Sequence, residues 1–259
     1  MSNLILHCGG EAVTRAMVEA VPVPEATSSY NPVAYGDAIE LMHDEARRGL
    51  GMSIRSESYG LNKAGDQMFA LLTLDTGNDE HGLSIGLRQS YNKTLALGVA
   101  IGAQVFVCDN LAFSGSAFKV VRKNTVNVWP DFRGLLRAQI SEALPSYRAL
   151  ESGFDVMRET TCTIERGYAV LGVMVGRELL TPNQASVAFG DWRAPRHAEF
   201  GERNVWGLYN AITEGLKKGA PGRVLDRHAA AHDFVVESLP MLGRRAAAAR
   251  VIDATVVEA

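Results

Sequence analysis

Hydrophobic and polar residues alternate through "MSIRSESYG", as in a strand with one buried face. "QMFALLTLD" is more continuously apolar, which suits a strand deeper in a sheet. "TGNDEHG" between them and the next run has the residues of a hairpin loop. "LSIGLRQSY" alternates again. "TLALGVAIGAQVFVCDN" reads as two strands joined near Gly102 and Ala103, and "AFKVVRK" as one more. Successive strands with short connections predict an antiparallel meander.

The period changes on either side of this block. In "GDAIELMHDEARRGLG", Ile39, Met42, Ala46 and Leu50 recur at helical spacing, with Asp37 at the start and Gly49 or Gly51 at the end. In "PDFRGLLRAQISEALPSY", Phe132, Leu136, Ile140 and Ala143 share a face. "ERGYAVLGVMVGREL" is a short apolar helix or a buried segment. Thr181-Pro182 is a helix start, the Thr as cap and the Pro in the first position. "GERNVWGLYNAITEGLKKG" and "PGRVLDRHAAAHDFVVESLP" complete the helical half. Strands first and helices second predict an α+β fold, an antiparallel β-meander in the N-terminal half packed against C-terminal helices. Residues 1–32, with Pro22, Pro24 and Pro32, are expected to form an irregular arm with a short strand at 4–7. Residues 33–240 are expected to form one domain, and 241–259 a tail that frays or meets another copy.

Composition narrows the function. At 47% hydrophobic and 21% charged, the chain can bury a full core. No window approaches the roughly 18 unbroken apolar residues of a membrane span. The N-terminus lacks a basic n-region, so the expected compartment is the cytosol. Cys8, Cys108 and Cys162 are too sparse for a disulfide framework and are expected to be free and mostly buried. There is no G-x-x-x-x-G-K-[ST], no G-x-G-x-x-G between strand and helix, no G-x-S-x-G and no H-E-x-x-H. A nucleotide-driven motor or a dehydrogenase is therefore not expected, and no cofactor is implied.

Two groups resemble metal sites without completing one. His228 and His232 are four apart on a helix but lack a third ligand of evident spacing, so a surface helix carrying two histidines is expected. The loop with Asp75, Asp79, Glu80 and His81 lacks EF-hand spacing and reads as a solvated hairpin turn. No metal is expected. In "VFVCDN", a reactive Cys108 would need a nearby base or an electropositive helix start, and nothing local supplies one. Asp109 and Asn110 are good turn-formers, so a strand end with an Asx-type turn is the plainer account.

Charge is unevenly spread. The net charge is −3, yet residues 117–137 carry Lys119, Arg122, Lys123, Arg133 and Arg137 against Asp131 alone. Tyr91, Phe113, Phe118 and Trp129 lie near this stretch in sequence. Cations beside aromatic rings suit single-stranded nucleic acid, where charges track phosphates and rings stack bases. A solvated, lysine-protected sheet edge has the same composition.

Four segments together resemble a phage- and plasmid-borne family, the domain of unknown function numbered nine hundred and thirty-two. Its R-x-S-H-[DN]-K-[ST] segment is matched by Arg88, Ser90, Asn92, Lys93 and Thr94, with Tyr91 in place of His. Its V-[FV]-V-C-x-N strand end is matched by Cys108 and Asn110. Its R-K-H-T segment is matched by Arg122, Lys123 and Thr125, with Asn124 in place of His. Its W-x-L-Y-N-A-[VI]-T helix is matched by Trp206, Leu208, Tyr209, Asn210, Ala211 and Thr213. The likeness spans roughly 52–232. It implies a mobile genetic element, whose small proteins handle DNA or counter host defence, and it implies no activity.

Three functions follow as expectations. The first is binding or annealing of single-stranded DNA without nucleotide hydrolysis. Arg88, Lys93, Lys119, Arg122, Lys123, Arg133 and Arg137 would meet phosphates, and Tyr91 and Trp129 would stack bases. In this reading Cys108, Asp109, Asn110, Trp206, Tyr209 and Asn210 are structural, and a homo-oligomer multiplies weak contacts. The second is a protein-binding module that inhibits a host defence factor. The third is an enzyme built on Cys108, Asp109 and a distant histidine.

Overall fold

The structure is a computed structural model. It describes residues 10–106, 110–112, 119–125, 127–217 and 224–242, and in 110–112, 119–122 and 224–226 the backbone only. The fold is α+β. Strand β1 (Gly10–Val13) and helix α1 (Arg15–Glu19) precede helix α2 (Tyr35–Leu50). Strands β2 (Ile54–Asn62), β3 (Gln67–Leu74), β4 (His81–Ser90) and β5 (Leu97–Val105) form the meander. β1 pairs with β2, so of the expected irregular arm residues 10–19 form a strand and a short helix, while the proline-bearing stretch 20–34 has no regular structure. The strand expected at 4–7 and the tail after Leu242 lie outside the described residues.

The far edge of β5 is shared by two short strands. β6 (Asn110–Ala112) pairs with Val105 to Ala103, and β7 (Lys119–Arg122) with Ala100 to Leu97. β5 itself is continuous through Gly102, where a break was expected. Gly102 lies opposite Ser84 and shares its sheet face with Gly98 and Ala100, so it marks a face of small side chains.

β4 and β5 are buried on both faces. On one face Met68, Leu72, Leu83, Ile85, Val99 and Ile101 pack beneath α2 and helix α3 (Val128–Glu159). Each such side chain contributes roughly 1.5–3 kcal/mol on burial. On β4 and β5 the other face carries small or polar residues, and there the Thr73 hydroxyl of β3 donates to Gln104 Oε1 at 2.6 Å and lies 3.4 Å from the Ser84 hydroxyl. α2 ends on Gly51, whose φ of 64° is the left-handed cap that glycine adopts without strain. α3 runs through Pro145 and ends twelve residues beyond the expected stop at Tyr147, because Leu150, Phe154 and Met157 continue its apolar face.

Helices α4 (Ile164–Gly176), α5 (Pro182–Arg193), α6 (Val205–Leu216) and α7 (Val224–Leu242) form the C-terminal layer. Thr181 and Gln184 close a capping box at α5, with Pro182 in its first turn. Trp192, fully buried, donates from Nε1 to the Ile164 carbonyl at 3.1 Å. Its indole lies so close to Gly167 that a Cβ there would stand 2.1 Å from Nε1, which accounts for the glycine inside α4. Among the described residues no helix is long and apolar enough to cross a membrane.

Candidate nucleic-acid interface

An antiparallel meander gathers alternate turns at the same end. The β2–β3 turn, the β4–β5 turn and the end of β7 meet in this way, because Gln67 pairs with Ser90, and Gly98 with both Arg88 on β4 and Val121 on β7. The β4–β5 turn is tightly built. The Ser90 hydroxyl accepts from Leu95 N at 2.8 Å and donates to its carbonyl at 3.0 Å. Asn92 Oδ1 accepts from Thr94 N at 3.0 Å, and Gln67 donates to the Thr94 hydroxyl at 2.8 Å. These bonds hold Lys93 exposed at a φ of 64°, a left-handed conformation uncommon outside glycine.

The arm ties this turn to the segment after β7. Lys93 Nζ lies 4.5 Å from the centre of the Tyr30 ring. The Tyr30 hydroxyl donates to the Tyr91 carbonyl at 3.2 Å and also bonds the Asn124 side chain. Asn31 N donates to the Asn124 carbonyl at 3.0 Å. Lys93 and the exposed Lys123 therefore flank one knot of structure, where the turn after β4 meets the segment after β7.

From this end a cationic track follows α3. Arg133 and Arg137 are exposed on its outer side. Arg137 makes a bidentate pair with Glu45 of α2, at 3.1 Å from Nε and 2.6 Å from Nη2. The Arg137 guanidinium holds the Glu45 carboxyl below its ordinary range, with Arg48 and Arg133 adding to the effect. Three arginines thus surround one carboxylate, and Arg48 also pairs with Asp44 at 3.1 Å. Sequence reading named Arg133 and Arg137 and missed Arg48, whose signal was the "ARRGLG" end of α2 packed beside α3. Lys119 and Arg122 lie on the edge strand β7, which packs against α3.

Other predicted contacts lie inside. Arg88 is buried at 8% exposure in the middle of the sheet, and Tyr91 at 7%. The Tyr91 ring stacks on Tyr35 at 3.9 Å with 1° between planes, and its hydroxyl accepts from Tyr35 N at 3.1 Å. Burial raises the pKa of both phenols. In contrast to the sequence expectation, Tyr91 presents no open face for a base, and Arg88 lies under the surface. Trp129 is half-buried and stacked against Phe132 at 6.4 Å, leaving part of its ring accessible.

The fourth segment builds an interior cluster. Trp206, Tyr209 and Asn210 are buried on α6, and Asn210 Nδ2 donates to the Trp206 carbonyl at 3.0 Å. Phe154 of α3 packs against Trp206, Tyr209 and His232, and His232 Nδ1 lies 3.2 Å from the Tyr209 hydroxyl. His228 and His232 were expected on a surface helix. They face inward, at 1% and 5% exposure. Burial lowers the His232 pKa to about 4, so its imidazole is neutral at pH 7. β6, which begins at Asn110, packs against α6 and α7. Cys108 and Asp109 precede it outside the described residues.

A second buried histidine cluster corrects the reading of the β3–β4 loop, in which His81 was expected in a solvated hairpin turn. His81 opens β4 at 2% exposure, with Nδ1 2.8 Å from the Tyr147 hydroxyl and 3.7 Å from Glu151. Its neighbours Asp75, Asp79 and Glu80 are exposed, as a hairpin turn requires. Cys162 is free and buried, and burial pushes its thiol up to about 11, far from a thiolate at neutral pH. Among the described residues no group of three or more His, Cys, Asp or Glu is placed to hold a metal.

No protein-family model matches the chain, and neither a curated protein nor a solved structure matches it.

Proposed function

We propose that this protein binds single-stranded nucleic acid without nucleotide hydrolysis, as a phage- or plasmid-like binding or annealing protein. The observation that carries the reading is the track from Lys123 along α3, where Arg133, Arg137 and Arg48 gather near Glu45, Arg48 also pairing with Asp44. Lys119 and Arg122 lie on β7, the strand that packs against α3. Ten helical residues rise about 15 Å, so the track spans several phosphates of an extended strand. The half-buried Trp129 is the ring in position to meet a base.

A gel shift with a single-stranded oligonucleotide at low salt tests this. The wild-type chain is expected to bind, and Lys123→Glu with Arg133→Glu to weaken binding at least tenfold, because each reversal turns a phosphate attraction into a repulsion. Both side chains are exposed, so the fold should be unaffected. Equal affinity in the double variant would remove the track from the account.

A further inference from the structure

A buried carboxylate holds one exposed arginine of the α3 track. The Arg137 side chain is 65% exposed, and that of Glu45 only 7%. They meet where α2 and α3 approach closely. A Cβ on Gly49 would stand 2.5 Å from Ile140 Cγ2, so the glycine lets the two helices come together there. Glu45 lies one turn before Gly49 on α2, and Arg137 one turn before Ile140 on α3, so the pair faces across the same seam.

Glu45 takes one edge of the guanidinium. Arg137 Nε donates to Oε2 at 3.1 Å, and Nη2 donates to Oε1 at 2.6 Å. A guanidinium carries five N–H groups in one plane, so three remain, two on Nη1 and one on Nη2. One from each of these nitrogens points the same way, as the fork that grips two oxygens of a phosphate. Arg137 has no other partner among the described residues. Arg133, one turn earlier on α3, is exposed beside it. An arginine loose in solvent loses its rotamer freedom when it binds a phosphate. Arg137 has given up that freedom in the free protein, through Glu45.

We infer that Glu45 is a positioning residue for phosphate recognition: it fixes the Arg137 guanidinium by one edge, so that the remaining fork meets a phosphate of the bound strand. This role rests on the single-strand reading of the α3 track. Charge alone makes the opposite prediction, because a carboxylate beside a phosphate repels it.

Fluorescence anisotropy on a labelled single-stranded oligonucleotide, over a series of salt concentrations, tests the role with Glu45→Gln, Arg137→Lys and the two combined. Glu45→Gln removes a negative charge, yet it is expected to bind about fivefold more weakly, because a released Arg137 must be ordered again on binding. Its salt slope should shrink by about 0.7, the share of one phosphate. A folding defect would lower the amount of protein that binds and leave the slope as it was, so the slope separates positioning from a structural effect. Arg137→Lys keeps the charge without the fork and should lose a similar factor. The double variant should bind no more weakly than either single one, because both changes break one device. Equal or tighter binding by Glu45→Gln overturns the role, as does an unchanged slope or a double variant whose losses multiply. Should Glu45→Gln fail to fold, wild-type affinity in Arg137→Lys overturns it. A wild-type chain that binds no strand overturns the single-strand reading and this role together, whereas the variant outcomes overturn the role alone.

Discussion

Phe154→Ala is expected to destabilise the protein by about 4 kcal/mol, within the range for removing a buried aromatic ring. Phe154 has no exposed surface and stands where three layers meet. Its ring centre lies 5.3 Å from His81 at the start of β4, 4.8 Å from Trp206 and 6.4 Å from Tyr209 on α6, and 6.5 Å from His232 on α7. His81, Tyr209 and His232 are held by hydrogen bonds and the Trp206 ring by Arg158 against it, so they cannot collapse into the space the ring leaves, and the cavity persists. Phe154→Leu keeps most of the volume and should cost far less. Urea denaturation measures both; a loss below about 1 kcal/mol for the alanine variant would show that the cluster does not join the layers.

Acid is expected to unfold the protein through the same cluster. His232 has a folded pKa lowered from 6.5 to about 4, chiefly by burial, while Asp233 pulls weakly the other way. The unfolded chain therefore takes up the proton first. The stability that His232 lends is complete above about pH 6.5 and is lost as the pH falls towards 4, by about 3 kcal/mol at that point. His43 and His81 are lowered in the same direction, each mainly by burial, and steepen the loss. Glu40 and Glu45, lowered by Arg15 and Arg137, add a further loss below the ordinary carboxylate range. Asp191, raised by burial, opposes it. Denaturation followed between about pH 7.5 and 4 should show His232→Gln less stable at neutral pH and distinctly less sensitive to acid. An unchanged pH slope in that variant would place the acid response elsewhere.

The periodic parts of the chain were legible. Alternation in "MSIRSESYG" and the even spacing of Phe132, Leu136 and Ile140 reflect which side of a strand or helix is buried, and the structure has the sheet and helices they predict. Thr181-Pro182 was legible because a cap is a local bond. What failed was local reading of residues whose role is set across the fold. Gly102 resembled a break, and its smallness serves a sheet face opposite Ser84. Pro145 and Tyr147 resembled a helix end, although Tyr147 continues inward to His81. Tyr91 sits in a polar turn, where a ring reads as exposed, and only contact with Tyr35, fifty-six residues away, draws it inside. The two inward histidines of α7 share one face, as spacing required, but spacing alone does not say which way that face points. For the site, the clustering of Arg133 and Arg137 was visible, and their company with Arg48 around Glu45 needed α2 and α3 to be packed together.

The most direct test of the central claim is the salt dependence of single-strand binding, read by fluorescence anisotropy on a labelled oligonucleotide. Affinity should fall linearly with salt on logarithmic axes, by a slope of about 0.7 for each phosphate neutralised. Removing Lys123 and Arg133 together should shrink that slope by roughly 1.4, whatever the oligonucleotide sequence. No binding at low salt, or a slope that the double variant leaves unchanged, would contradict a phosphate-tracking surface on α3.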